Sequence, residues 1–248
     1  VDPSSGILYV STNEGKLYAV KAQGWAPVFS FDAGDRIWSA PTVANGNVYF
    51  GTTAGKLFAL NAATGEKAWE FSSDAALVTN PVVNGDTVLI GGFANTLYAL
   101  NANTGEQKWQ FEASDWVWSS PLVDTNRVFF GDFSGKVFAL SLADGSQLWE
   151  KPFETSTAVR GMPAISGGTL VVGVDNGNVY GIDPATGEQS WGPVVMGTKL
   201  QADLLASTSG SPTVYAAPSG CIGVSPDRGY YYKLNPSTHE RQSTSSVC

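Results

Sequence analysis

Leu57-Phe-Ala-Leu-Asn-Ala-Ala-Thr-Gly-Glu-Lys-Ala-Trp69 decides the reading of this chain, because near-copies of it run from Leu97 to Trp109, Val137 to Trp149 and Val179 to Trp191. The closing tryptophans, Trp69, Trp109, Trp149 and Trp191, are spaced 40, 40 and 42 residues apart. Self-similarity at such a period marks a repeat architecture. Each unit can bury its apolar faces only against its neighbours, so the sequence predicts one cooperative assembly and not a string of small domains.

Working outward from the quoted stretch, each unit parses into four short strands. In the second unit the expected strands are Ile37 to Val43, Val48 to Gly51, Lys56 to Asn61 and Glu66 to Phe71. Between them lie turns at Asn45-Gly46, Ala54-Gly55 and Ala62 to Gly65, where Asn and Gly tolerate positive φ. Turn signals every 8–12 residues between β-branched and aromatic runs indicate an all-β meander. No segment carries a convincing 3.6-residue apolar period, so helices should be nearly absent. Landmarks keep register. Pro41, Pro81, Pro121 and Pro163 mark the first strands, where a residue without an amide donor belongs at an edge or an end. Gly51, Gly91, Gly131 and Gly173 close the second strands.

Two degenerate copies extend the count. Ile7 to Val10 with Gly15 to Ala19 opens the series, and Phe29 stands where the tryptophan should be. Thr213 to Ala217 with Gly229 to Asn235 closes it, interrupted by an insertion at Pro218 to Arg228, and Gln242 falls near the tryptophan position. Repeated four-stranded meanders of this length fit a β-propeller. The expected fold is therefore all-β, a β-propeller of about six four-stranded blades in a single domain, with blades over 1–31, 32–71, 72–111, 112–153, 154–195 and 196–248. Val1 aligns with the end of a first strand, which leaves blade one without its innermost strand. The expectation that follows is a piece of a longer, seven- or eight-bladed protein; loss of an upstream strand or imperfect closure are the alternatives.

Composition sets further bounds. With 248 residues the chain can bury a sizeable core, and 28 Gly and 13 Pro suit many short strands joined by tight turns. A net charge of −8, with Lys and Arg scattered singly, argues against a nucleic-acid partner, which would need a basic stripe. No run approaches the roughly 18–20 apolar residues of a membrane span. The given N-terminal stretch, Val1-Asp-Pro-Ser-Ser-Gly, is not a basic-then-apolar leader, as would hold had one been removed. Cys221 and Cys248, late and outside the repeats, read as one disulfide tying down the tail, which implies a periplasmic or extracellular compartment; two unrelated free thiols are the alternative.

The run Leu60 to Trp69 resembles the tryptophan-docking motif of PQQ-like propeller repeats, in which Ala, Gly and Trp recur in each blade. Ala62/Gly65/Trp69, Ala102/Gly105/Trp109, Ala143/Gly145/Trp149 and Ala185/Gly187/Trp191 carry the match, the alanine drifting by one position in the last two. The resemblance spans roughly residues 7–240. It implies that the tryptophans pack between neighbouring blades. It also implies one of two chemistries: quinoprotein dehydrogenases, with pyrroloquinoline quinone, a calcium or lanthanide ion and adjacent cysteines, or cofactor-free binding platforms. The latter include a barrel-assembly lipoprotein of Gram-negative outer membranes and the sensor domains of some bacterial kinases. Here the two cysteines are not adjacent and no cluster of acidic and amide residues stands apart from the turns, so the expectation is a non-enzyme without cofactor.

Other chemistry is thin. A single histidine, His239, in a Pro-Ser-Thr turn excludes a multi-histidine metal centre. Gly51 to Leu57 has the wrong spacing for a phosphate loop, and Asp175-Asn-Gly177-Asn178 is too short for a calcium loop. Glu66, Glu106 and Glu188 read as charged outer edges that discourage pairing between molecules. What breaks the repeat is the start of the innermost strands. Three residues before the landmark prolines stand Trp38, Val78, Trp118 and Arg160; five before stand Arg36, Ala76, Trp116 and Ala158. Aromatics and arginines of this kind are enriched at binding hot spots, and Asp35, Asp74 and Asp115 add acceptors. The alternative is that the tryptophans fill gaps between blades. The resulting expectation is a non-catalytic recognition or scaffold module, periplasmic or extracellular. It would present Arg36, Trp38, Trp116, Trp118 and Arg160 to a protein or peptide partner, with strand addition at a blade edge as a second mode. Its competitors are a quinone-dependent dehydrogenase fragment and the extracellular sensor domain of a larger membrane protein.

Overall fold

The computed structural model describes residues 5–197, 199–207, 211–216 and 232–243, with nothing to be said of the side chains of 241–243. Cys221, Cys248 and the insertion 218–228 lie outside the described residues. Among the described residues every regular element is a strand, and the strands form six antiparallel sheets. The chain divides into two compact units, Val1–Val117 and Trp118–Cys248.

The first unit holds three sheets. One is the meander β1 (Ile7–Ser11), β2 (Lys16–Lys21) and β3 (Pro27–Asp32). Two four-stranded meanders follow: β4 (Thr42–Ala44), β5 (Asn47–Gly51), β6 (Lys56–Asn61) and β7 (Lys67–Ser72), then β8 (Val82–Asn84), β9 (Thr87–Gly91), β10 (Thr96–Asn101) and β11 (Gln107–Glu112). The second unit holds three more four-stranded meanders. They are β12 (Leu122–Asp124) to β15 (Phe153–Glu154) through β13 (Arg127–Gly131) and β14 (Lys136–Ser141); β16 (Ala164–Ser166) to β19 (Gln189–Val195) through β17 (Thr169–Gly173) and β18 (Asn178–Ile182); and β20 (Leu205–Ala206), β21 (Val214–Ala216), β22 (Tyr232–Leu234) and β23 (Arg241–Ser243).

The two-residue period of a strand sends alternate side chains to opposite faces. In β6, Leu57 and Ala59 join the core shared with β9 and β10, while Phe58 and Leu60 join the core shared with β1 and β2. β6 is apolar on both faces because a sheet lies against each. Outer strands behave otherwise: in β7 only Trp69 is buried. The ring of Trp69 lies over Gly105 of the next sheet, where an added Cβ would come within 2.7 Å of the indole, and its Nε1 donates to the Ala102 carbonyl at 3.0 Å. Trp149 repeats this on Gly187, with Nε1 donating to Pro184 O at 3.3 Å. Phe29 lies in the same way over Gly65.

The turns that present these glycines follow from their side chains. Asn61 Oδ1 accepts from the Ala63 and Thr64 amides at 2.9 and 3.0 Å, which leaves Gly65 to absorb a φ of 77°. In the last turn, Asn235 makes the same bonds, yet His239 occupies the glycine place at a φ of 61°. Its imidazole lies tilted against the Trp191 ring, 5.1 Å between centroids, and the buried Trp191 Nε1 has no hydrogen-bond partner among the described residues. Left-handed backbone costs a non-glycine residue about 1–2 kcal/mol, offset in part by the larger unfolded-state entropy of glycine. His239→Gly is therefore expected to stabilise the chain by roughly 0.5–1 kcal/mol in denaturant titrations. A drop in stability would mean that the imidazole–indole contact outweighs the strain.

Two boundaries differ from the sequence expectation. The first strand of the second repeat is regular only over Thr42–Ala44, not from Ile37. Pro41 has no amide to donate, and the hydroxyl of Ser39 instead accepts from the Gly51 amide at 3.0 Å. Thr79 does the same for Gly91 at 2.8 Å. In the fourth repeat the outer strand shrinks to Phe153–Glu154, since Glu150, Lys151 and Pro152 bulge out between Trp149 and the pairing of Phe153 with Val137. Among the described residues the opening sheet has three strands.

Candidate functional site

The segment that precedes Pro41 alternates between exposed and buried residues, and the later ones do so only in part, Val78 and Ala158 being buried as well. Four residues before each proline, Ile37, Leu77, Val117 and Val159 are buried, none more than 3% exposed. Around Ile37 and Val117 the flanks Arg36, Trp38 and Trp116 project the other way. Side-chain caps hold the backbone in place: Asp35 Oδ1 accepts from the Arg36 amide at 2.7 Å and from Thr53 Oγ1 at 3.1 Å, and the Arg36 carbonyl accepts from the Thr53 amide at 2.9 Å. Asp115 Oδ1 likewise accepts from the Trp116 amide at 2.8 Å, with Val117 N donating to Gly92 O at 3.1 Å.

In the first unit this brings Trp38 and Trp116 to either side of Phe93. Trp38 meets Phe93 edge-on at 6.3 Å between centroids, and Phe93 lies 4.6 Å from Trp116 at an interplanar angle of 33°. Trp38 remains 47% exposed and Trp116 40%. Arg36 is exposed as well, beside Asp35. Phe93 is set by its amide, which donates to Ala76 O at 2.9 Å.

In the second unit the arrangement is closed by a cation. The guanidinium carbon of Arg160 sits 4.8 Å from the Trp118 ring centroid and 4.6 Å from that of Phe133. Its Nε donates to Asp175 Oδ2 at 3.0 Å, while Asp175 Oδ1 accepts from Gln201 Nε2 at 2.9 Å. The pair is half-sheltered, so both charge and cation–π attraction act in a reduced dielectric. Of the five residues expected from sequence, Trp38 and Trp116 thus gather in one unit, Trp118 and Arg160 in the other, and Arg36 stands beside its capping aspartate.

Phe93, Phe133, Asp175 and Gln201 were not among the expected residues. Three of them were legible in principle. Thr53, Phe93, Phe133 and Asp175 all stand two residues after the strand-closing glycines, in one repeat register. Elsewhere in the second unit, a groove of about 610 Å³ opens between the bulge Glu150 to Phe153 and the turn Thr186 to Gln189.

Asp35 is turned onto its own loop and Asp175 onto Arg160 and Gln201, and among the described residues no group of three or more His, Cys, Asp or Glu could hold a metal. No helix of the described residues is long and apolar enough to cross a membrane.

A family model described as outer membrane protein assembly factor BamB matches residues 3–81 and 72–242. The chain belongs to that family. Its PQQ-like repeats are those of BamB-like propellers, and the family description is that of an assembly factor. Among solved structures, BamB from Moraxella catarrhalis is similar with a TM-score of 0.77 at 20% identity, over 97% of this chain and 73% of that one. The computationally designed Ika8 protein is similar with a TM-score of 0.82 at 13% identity, over 97% and 72%. At such identities the likeness is one of fold. No curated protein matches.

Proposed function

We propose that this chain is a non-catalytic recognition module of a BamB-like propeller, acting in a periplasmic or extracellular setting, where the six sheets serve as blades of one domain. It presents Arg36, Trp38, Trp116, Trp118 and Arg160 to a protein or peptide partner. The observation that carries the reading is the exposure of Trp38 and Trp116 in a chain that buries its four repeat tryptophans. Water-exposed indoles held by buried neighbours and capped backbone are preorganised, so little side-chain freedom is lost on binding. The family description, an outer membrane protein assembly factor, supports a partner that is itself a protein.

Replacing Trp38, Trp118 and Arg160 together with alanine is expected to reduce capture of partner proteins from a native extract at least tenfold, since rim aromatics and arginines of this kind act as hot spots of about 2 kcal/mol or more. Thermal unfolding of the same variant reports on folding. Unchanged capture by a folded variant would reject the reading.

A further inference from the structure

Resting on that reading, we propose that the Trp38–Phe93–Trp116 row receives arginine side chains of an extended, basic peptide segment. The molecule carries an internal precedent for this chemistry. Phe133 and Phe93 occupy the same place in successive repeats, two residues after Gly131 and Gly91. At Phe133 the chain lays its own guanidinium, that of Arg160, against that ring and Trp118, at 4.6 and 4.8 Å, with a carboxylate 3.0 Å from Nε. At Phe93 the chain places two indoles, Trp38 and Trp116, which are 47% and 40% exposed.

The charge around the row points the same way. Asp35 and Asp115 cap the loops that hold Trp38 and Trp116, and Asp74 is exposed one residue short of the corresponding place in the repeat between them. Arg36 is a neighbouring cation, and the chain as a whole is at −8. An acidic surface with open indole faces favours a cation that can shed water and lie flat. Arginine satisfies this better than lysine, because its planar guanidinium is weakly hydrated and stacks on aromatic faces while its edge still reaches a carboxylate. Single contacts of this type are weak, so recognition needs several arginines in sequence, as an extended segment provides.

The test is a titration of the purified chain, followed by tryptophan fluorescence, with a short peptide alternating arginine and glycine. Two counterparts have citrulline or lysine in place of arginine. Citrulline keeps the shape and removes the charge. The arginine peptide is expected to bind roughly tenfold more tightly than the citrulline peptide and several-fold more tightly than the lysine peptide at low salt. W38A/W116A should abolish the preference. W25A, which removes an equally prominent indole (69% exposed) outside the row, should keep it. Equal binding of the three peptides, or a preference that survives in folded W38A/W116A, overturns the proposal. If the preference fails while the triple rim variant still loses its partner, recognition stands and its ligand chemistry is other than arginine. Arginine preference in a chain whose partner capture ignores the triple variant separates the two in the opposite sense.

Discussion

Trp69→Ala is expected to lower the unfolding free energy by about 3–5 kcal/mol, the range for emptying a buried aromatic site. The ring lies within one core with Tyr49, Leu57, Leu77 and Leu100, packs on Gly105 of the next sheet, and donates to Ala102 O at 3.0 Å. Truncation removes three things together: apolar area, a surface against Gly105, and the indole donor. The Ala102 carbonyl keeps a partner, because the Tyr49 hydroxyl also donates to it at 3.0 Å. Most of the loss should therefore be packing. Urea unfolding of the single variant and of Trp69→Phe separates the terms: phenylalanine should recover most of the stability, as Phe29 over Gly65 already suggests. A midpoint for Trp69→Ala within experimental error of the parent would show that this indole does not hold neighbouring sheets together.

Gly92→Val should have a comparable effect by a different route, and it should reach the candidate site. A Cβ at Gly92 would lie 2.0 Å from the carbonyl oxygen of Ala76, a backbone atom that cannot swing aside. That same oxygen accepts the Phe93 amide at 2.9 Å, and the Gly92 carbonyl accepts the Val117 amide at 3.1 Å. Relief of the clash must separate the Ala76 segment from the Phe93 turn and so shift the central ring of the aromatic row. We expect a loss of about 2–3 kcal/mol, in the upper range for overpacking, and loss of partner capture in the surviving folded fraction. Gly85→Ala serves as the control. Its surroundings are open, so only the strain of a φ of 58° is felt, and capture should persist. Equal stability of Gly92→Val and the parent would mean the backbone here is more yielding than its hydrogen bonds imply.

Much of the molecule could be read from the chain, and for identifiable reasons. Asn45-Gly46 needs positive φ at both residues and has it, at 52° and 76°, so the hairpin between β4 and β5 is a local property. The strand Lys56–Asn61 appears at its expected bounds because its apolar run is long enough to be buried on both faces. The start of the first strands was misplaced because Ser39 and Thr79 look like strand residues but spend their hydroxyls on Gly51 and Gly91, a long-range bond that no local pattern reveals. Likewise Trp38, Trp116, Trp118 and Arg160 stood out as breaks in the repeat, whereas Phe93 and Phe133 sit at hairpin tips and look like ordinary turn residues until the fold supplies their neighbours.

Periodicity, turn chemistry and the recurrence of Ala, Gly and Trp determine from the chain alone that this is an all-β array of short meanders, because each depends on residues a few positions apart. Which exposed side chains meet was decided only in three dimensions. Trp38 and Phe93 are distant in sequence, as are Trp118 and Arg160, and their contact depends on how one sheet is set against the next. Spacing encodes the sheets; the packing between them selects the partners.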